Sequence, residues 1–237
     1  MDINEQTIIG ELVAADYRTA SIFKGHGIDF CCNGNRTIAE ACRQKALEPG
    51  ALINVLEDVR GQADTAAAAY NSWPADLLAD YIEKKHHRYV TAKVAEITPF
   101  LGKVVRVHGD RHPELKEVET LFHESAAELS AHMKKEETFL FPYIRNMAVN
   151  KAAVHAAFGT VENPISVMRH EHDIEGGRFQ RIATLTGNYT PPADACNTYK
   201  VTFSLLKEFE EDLHLHVHLE NNILFPKAIK MEQETVR

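Results

Sequence analysis

His132-Met133-Lys134-Lys135-Glu136-Glu137-Thr138-Phe139-Leu140-Phe141-Pro142 returns 84 positions later as His216-Val217-His218-Leu219-Glu220-Asn221-Asn222-Ile223-Leu224-Phe225-Pro226. The shared frame is His-x3-Glu-x4-Phe-Pro. Around the first copy an apolar stripe runs Val118, Phe122, Ser125, Leu129, His132, Glu136, Phe139, Tyr143; around the second, Tyr199, Thr202, Leu206, Phe209, Leu213, His216, Glu220, Ile223. Alternating steps of four and three keep such residues on one helical face, so each His and Glu is read as pointing into a core.

Two further stripes extend the pattern. Ile165, Met168, His172, Glu175, Phe179 and Ile182 select His172 over its neighbour His170. Val90, Val94, Ile97 and Leu101 extend back by three to His87, and His86 fits nearly as well. His87 precedes His132 by 45 residues and His172 precedes His216 by 44, so two helix pairs offer equivalent donors. Long helical patterns are predicted over 74–107, with a bend at Thr98-Pro99, and over 113–148, 164–186 and 191–232, the last capped by Thr190 with Pro191 as its first residue. No window alternates apolar and polar residues as a half-buried strand would. The fold class is all-α: a short helical amino-terminal domain over 1–60, a connection over 60–73, and an antiparallel four-helix bundle over 74–237.

Within 1–60 the predicted pieces are Thr7 to Ala14, Tyr17 to Lys24, one opening at Thr37-x-x-Glu40 as a capping box, and one opening at Pro49. A chain of 237 residues with 44% hydrophobic and 25% charged content has the balance of a globular protein. A net charge of −8, with no basic run, argues against a nucleic-acid partner. No stretch reaches the roughly 20 apolar residues of a membrane span. The opening Met1-Asp2-Ile3-Asn4-Glu5 has no basic leader, and a cytoplasmic protein with reduced Cys31, Cys32, Cys42 and Cys196 is expected.

A lone histidine on an apolar stripe is usually a hydrogen-bonded core residue. Four of them with two glutamates, at one level and duplicated, require a different account. Burying a carboxylate without a partner costs several kcal/mol, and no Arg or Lys lies on these stripes beside Glu136 and Glu220. A cation is the simplest partner, and mixed imidazole and carboxylate donors suit iron, manganese or zinc. Two carboxylates from two helices can bridge two ions with two histidines left for each, which makes a dinuclear site with His132, Glu136, His172, His216, Glu220 and one of His86 and His87 as its metal ligands.

Ferritin-like bundles place these donors as Glu-x-x-His; His followed four residues later by Glu resembles the hemerythrin-like domains instead. Oxygen-carrying members add a second histidine on the third helix, where this chain has Met168 and Gly176. The amino-terminal Asp29-Phe30-Cys31-Cys32-Asn33-Gly34-Asn35-Arg36-Thr37 completes the picture. For Cys31 and Cys32 the readings are small apolar filler or a redox, thiol-transfer or metal-holding role, the latter with a thiol pKa lowered by Arg36 and the helix start at Thr37. Together with Pro164-Ile-Ser-Val-Met168, Glu171-His172-Asp173, Thr190-Pro-Pro and Leu219-Glu220-Asn-Asn-Ile-Leu-Phe-Pro226, the motif set resembles the RIC (ScdA/YtfE) family of iron-sulfur cluster repair proteins over nearly the whole chain.

That resemblance implies a homodimer that helps restore iron-sulfur proteins, its clients, under nitrosative or oxidative stress. It implies two non-haem iron ions bridged by oxo or hydroxo and by Glu136 and Glu220. It settles the choice on His87, and analogy with hemerythrins assigns His87 and His132 to one iron and His172 and His216 to the other. Cys31 and Cys32 correspond to the family's cysteine pair, relaying iron or nitric oxide. Glu128 and Glu171 are expected to support the ligands or line a channel. The alternative activity is a nitric oxide reductase or scavenger at the same centre, and a non-catalytic sensor ranks last.

Overall fold

The computed structural model describes residues 2–61, 70–150 and 157–235. The amino-terminal part folds as α1 (Ile9–Ala15), α2 (Thr19–Gly25), α3 (Ile38–Lys45) and α4 (Pro49–Gly61). Helix α3 opens with the expected capping box: the Glu40 N–H donates to Thr37 Oγ1 at 3.2 Å, and the Thr37 N–H donates to Glu40 Oε2 at 2.8 Å. Of the connection read over 60–73, residues 62–69 lie outside the described residues, and Tyr70–Ser72 form a 3₁₀ turn.

Four long helices follow. Helix α5 (75–108) joins Ala75–Tyr81, Ile82–His87 and Arg88–His108; α6 (114–150) joins Glu114–Lys135, Glu136–Leu140 and Phe141–Asn150. Helix α7 is Glu162–Leu185, and α8 (197–235) joins Asn197–Leu219, Glu220–Leu224 and Phe225–Thr235. Helix α5 passes through Pro99 unbroken, with Thr98 Oγ1 donating to the Val94 carbonyl at 2.8 Å. No described strand is present, and no helix among the described residues is long and apolar enough to cross a membrane.

Two sequence expectations are corrected here. Helix α8 begins at Asn197, not at Pro191. A proline disfavours the helical region for the residue before it, so Pro191 and Pro192 keep Thr190 and Pro191 out of the helix. Asn188 and Tyr189 before them adopt left-handed φ of 55° and 59°. Phe139, read as inward, is 61% exposed, and Leu140 and Phe141 are buried in its place. The cause is a π-helical turn at Glu136–Leu140, which inserts a residue and shifts the stripe by one position. Similar turns occupy Ile82–His87 and Glu220–Leu224, so three of the four long helices are widened and underwound at their candidate ligands.

The apolar interior has two parts. One contains Val90, Leu129, Phe179 and Leu213 of the bundle together with Ile9, Leu12, Phe23 and Ile38 of the amino-terminal helices. The other contains Leu78, Ile82, Leu140, Met168, Leu219 and Phe225. On every long helix the candidate ligands fall between members of the two, so they form a polar layer closed above and below by hydrocarbon.

Candidate metal centre

All six predicted ligands converge. His87, Glu136, His216 and Glu220 form one group, and His132, Glu136, His172 and Glu220 the other; within each group one donor atom per residue lies within 4.8 Å of the rest. Each of the six is buried. The histidine pairing differs from the one taken by analogy: His87 meets His216 and His132 meets His172, with ring centroids 5.0 and 4.7 Å apart. Helix α5 packs against α8 and α6 against α7, so rings from lateral neighbours share a site. His86 belongs to neither group. Its Nδ1 faces Asp212 Oδ2 at 3.0 Å and its ring stacks on His216.

The chemistry of the donor set fits a cation. His132 Nδ1 donates to Glu171 Oε2 at 2.8 Å, and His172 Nδ1 donates to Asn221 Oδ1 at 3.0 Å. In neutral rings those bonds leave lone pairs on both Nε2 atoms, which face each other across 3.1 Å. Two facing lone pairs repel unless a proton or a metal ion lies between them. Glu136 Oε2 stands 3.3 Å from His132 Nε2 and 3.4 Å from His87 Nε2 without hydrogen-bond alignment, and neither of its oxygens has a hydrogen-bond partner among the described residues. Glu220 Oε1 lies 3.1 Å from His216 Nε2, and its Oε2 lies 3.1 Å from His172 Nε2.

Without a metal, protons must supply the compensating charge. Burial pulls the His87 imidazole down, but Glu136 and Glu220 outweigh it and push its pKa up to about 10. His132 shows the same balance, burial against Glu136, Glu171 and Glu220, and also reaches about 10. Burial works against the Glu220 carboxylate, yet His216, His172 and His87 around it hold its pKa well below the usual range. Burial dominates His216 and lowers it. The cluster therefore stores protons that a divalent ion would displace.

Three outer partners aim the rings. Glu137 Oε1 accepts from His87 Nδ1 at 2.8 Å, Glu171 from His132, and Asn221 from His172. His216 Nδ1 is buried with no partner among the described residues. Glu171 is held in turn by Lys135, and the His132 hydrogen bond lowers its pKa to about 2. Glu128 instead pairs with Arg178 at 2.7 Å and lines, with Glu171, His132 and His172, a cavity of about 190 Å³ leading to this side of the centre. Glu137 and Asn221 escaped the sequence reading, because their roles depend on the added residue in each π-helical turn. Glu171→Gln is expected to weaken cation binding about tenfold, measured by competition with a chelator. Unchanged affinity would remove Glu171 from the support of His132.

The amino-terminal cysteines dock directly on this layer. Cys31 Sγ and Cys32 Sγ are 3.9 Å apart, and Cys32 Sγ donates to the His172 carbonyl at 3.3 Å. Asn221 Nδ2 donates to the Cys31 carbonyl at 3.2 Å, so one side chain ties the cysteine loop to the His172 ring. A Cβ at Gly176 would lie 3.2 Å from Cys32 Sγ, which is why the loop can sit so close. The lowered thiol pKa expected from Arg36 is reversed at Cys31. The hydrogen bond with Cys32, burial and Asp29 push it well above the ordinary range, and Arg36 is spent on Gln44, Asn33 and Asp29. Asp29, Cys31 and Cys32 form a third group of closely spaced donors.

A helical bundle whose buried layer joins histidines and glutamates from all four helices is a hemerythrin-like cation-binding protein. The sequence profile of the hemerythrin HHE cation binding domain matches residues 78–228, and that of ScdA_N, a domain of unknown function, matches residues 5–60. Curated relatives include the iron-sulfur cluster repair protein YtfE of Musicola paradisiaca, 37% identical over 94% of this chain and 96% of the relative. The YtfE protein of Pectobacterium atrosepticum is 37% identical over 94% and 97%, and that of Yersinia pseudotuberculosis 34% over 98% and 100%. The chain belongs to this family of iron-sulfur cluster repair proteins.

Proposed function

We propose that this protein restores iron-sulfur clusters damaged by nitrosative or oxidative stress, giving up iron from a carboxylate-bridged di-iron centre held by His87, His132, Glu136, His172, His216 and Glu220. The observation that carries the reading is the sharing of Glu136 and Glu220 between two four-residue groups, each with its own pair of imidazoles. Iron held by these six residues would supply a labile store for transfer to a damaged cluster. The chain's own groups do the rest. Glu137, Glu171 and Asn221 orient the rings, and hydrocarbon above and below excludes water. Protonation of His87 and His132 compensates Glu136 and Glu220 as iron leaves. Cys31 and Cys32 relay iron or nitric oxide, and the protein works as a cytoplasmic homodimer.

Incubating the iron-loaded protein with a nitric-oxide-inactivated iron-sulfur enzyme is expected to restore its activity. If free ferrous iron restores the enzyme and the loaded protein does not, the reading fails. The cavity beside His132 and His172 favours a second reading, binding or reduction of nitric oxide at the same centre. Anaerobic mixing of the di-ferrous protein with nitric oxide separates its forms: nitrous oxide marks turnover, a lasting nitrosyl marks scavenging, and neither ends this reading.

A further inference from the structure

A second reactive locus lies at the opposite end of the bundle. His108 closes α5 and stands about 30 Å along the axis from His87 at 1.5 Å per residue. Across from it, Cys196 immediately precedes α8 with its thiol exposed. His108 is 3% exposed, and its Nε2 lies 3.2 Å from Cys196 Sγ, its one partner among the described residues. The other ring nitrogen fixes the proton. Arg111 can only donate, and its Nη2 approaches His108 Nδ1 at 3.3 Å, so Nδ1 accepts and the ring proton sits on Nε2, aimed at the sulfur. The imidazole thus offers its Nε2 proton to the sulfur and stabilises a thiolate there. The Tyr199 ring packs edge-on to His108, centroids 5.2 Å apart, and walls the imidazole in place.

The backbone at the start of α8 acts in the same direction. The N–H of Tyr199, ahead of that of Thr198, holds the Cys196 thiol below its ordinary range. The other charged groups here are Arg111, Asp194 and Glu114. Asp194 faces Arg111 at 3.3 Å and His112 at 2.9 Å, and Glu114 faces His112 at 3.4 Å. The remaining cysteines are poor competitors. Cys31 and Cys42 are buried with thiols pushed up, and Cys32 is engaged with the His172 carbonyl.

We propose that Cys196 is a modification site that takes up a small thiol in mixed-disulfide linkage by exchange with a low-molecular-weight disulfide of the glutathione class. Cys196 Sγ attacks one sulfur of the disulfide; a protein–ligand S–S bond forms as the original S–S bond breaks. The departing thiolate takes the electron pair and then a proton from solvent. Cys196 is oxidised, half of the small disulfide is reduced, and excess small thiol reverses the exchange. Arg111, 62% exposed, offers a guanidinium to the carboxylates of such a ligand.

The test uses the full, metal-loaded chain, glutathione disulfide as the probe, and peptide mass mapping to place the adduct. Cys196 is expected to be modified first, about three- to fivefold faster at neutral pH than in the urea-unfolded chain. Cys196→Ser should abolish that adduct with metal content unchanged. His108→Leu should lose the advantage, and His108→Gln, which keeps a donor, should recover part of it. First labelling at Cys31, Cys32 or Cys42 overturns the proposal, as does a Cys196 rate no higher than in the unfolded chain. If His108→Leu does not fold, the folded-against-unfolded comparison in the unsubstituted protein still decides.

Discussion

Glu220→Ala is expected to leave the protein with almost no bound iron, a larger loss than any single histidine substitution causes. The reason is placement: Glu220 belongs to both four-residue groups, whereas each histidine belongs to one. Its Oε1 and Oε2 reach His216 and His172, which serve different groups. Removing it deletes an anion from both groups at once. His132→Ala and His216→Ala should each cost at least half of the iron by elemental analysis. His214→Ala and His218→Ala should keep it, since neither belongs to a group. His218 is nevertheless buried, with its ring 5.6 Å from Tyr17 and 5.9 Å from Phe30. Its truncation should therefore lower stability by about 1–3 kcal/mol without touching the metal. Full iron in Glu220→Ala would rule out a shared carboxylate.

Removing the metal is expected to make stability strongly dependent on pH. In the metal-free protein His87 and His132 are raised to about 10 from an unfolded value of 6.5. A group raised on folding stabilises fully below its unfolded pKa, and that contribution disappears as pH climbs through the folded one. The metal-free protein should thus lose stability between about pH 6.5 and 10, by several kcal/mol in total. Glu220 sets the acid side: its lowered pKa contributes above the ordinary carboxylate value and is lost as pH falls. A bound divalent ion replaces those protons, so its affinity rises over the same alkaline window. Thermal unfolding of loaded and metal-free protein should show Tm curves that diverge above neutrality. Parallel curves would mean that protons and metal do not compete for these groups.

The ligand layer was legible because its residues obey the helical period. His172 on α7 and His216 and Glu220 on α8 sit on stripes whose every read member is buried. Phe139 was misread for the opposite reason. The π-helical turn changes the phase of the stripe at Phe139 itself, and no composition cue announces the added residue. The pairing of His87 with His216 depends on which helices are lateral neighbours, a tertiary fact that spacing along one chain does not carry. The seat of Cys31 and Cys32 was hidden likewise, since it rests on hydrogen bonds to His172 and Asn221 from well over a hundred residues away.

The two π-helical turns at Glu136–Leu140 and Glu220–Leu224 are separated by the same 84 residues that separate the repeated motif. A single-residue insertion into a long helix is disruptive, and two independent events at equivalent places are improbable. A helix pair that already carried the swelling, then doubled by tandem gene duplication and fused, accounts for both with one event. On that history the founding unit was half a bundle, and two copies associating around the shared glutamates would have preceded the single chain.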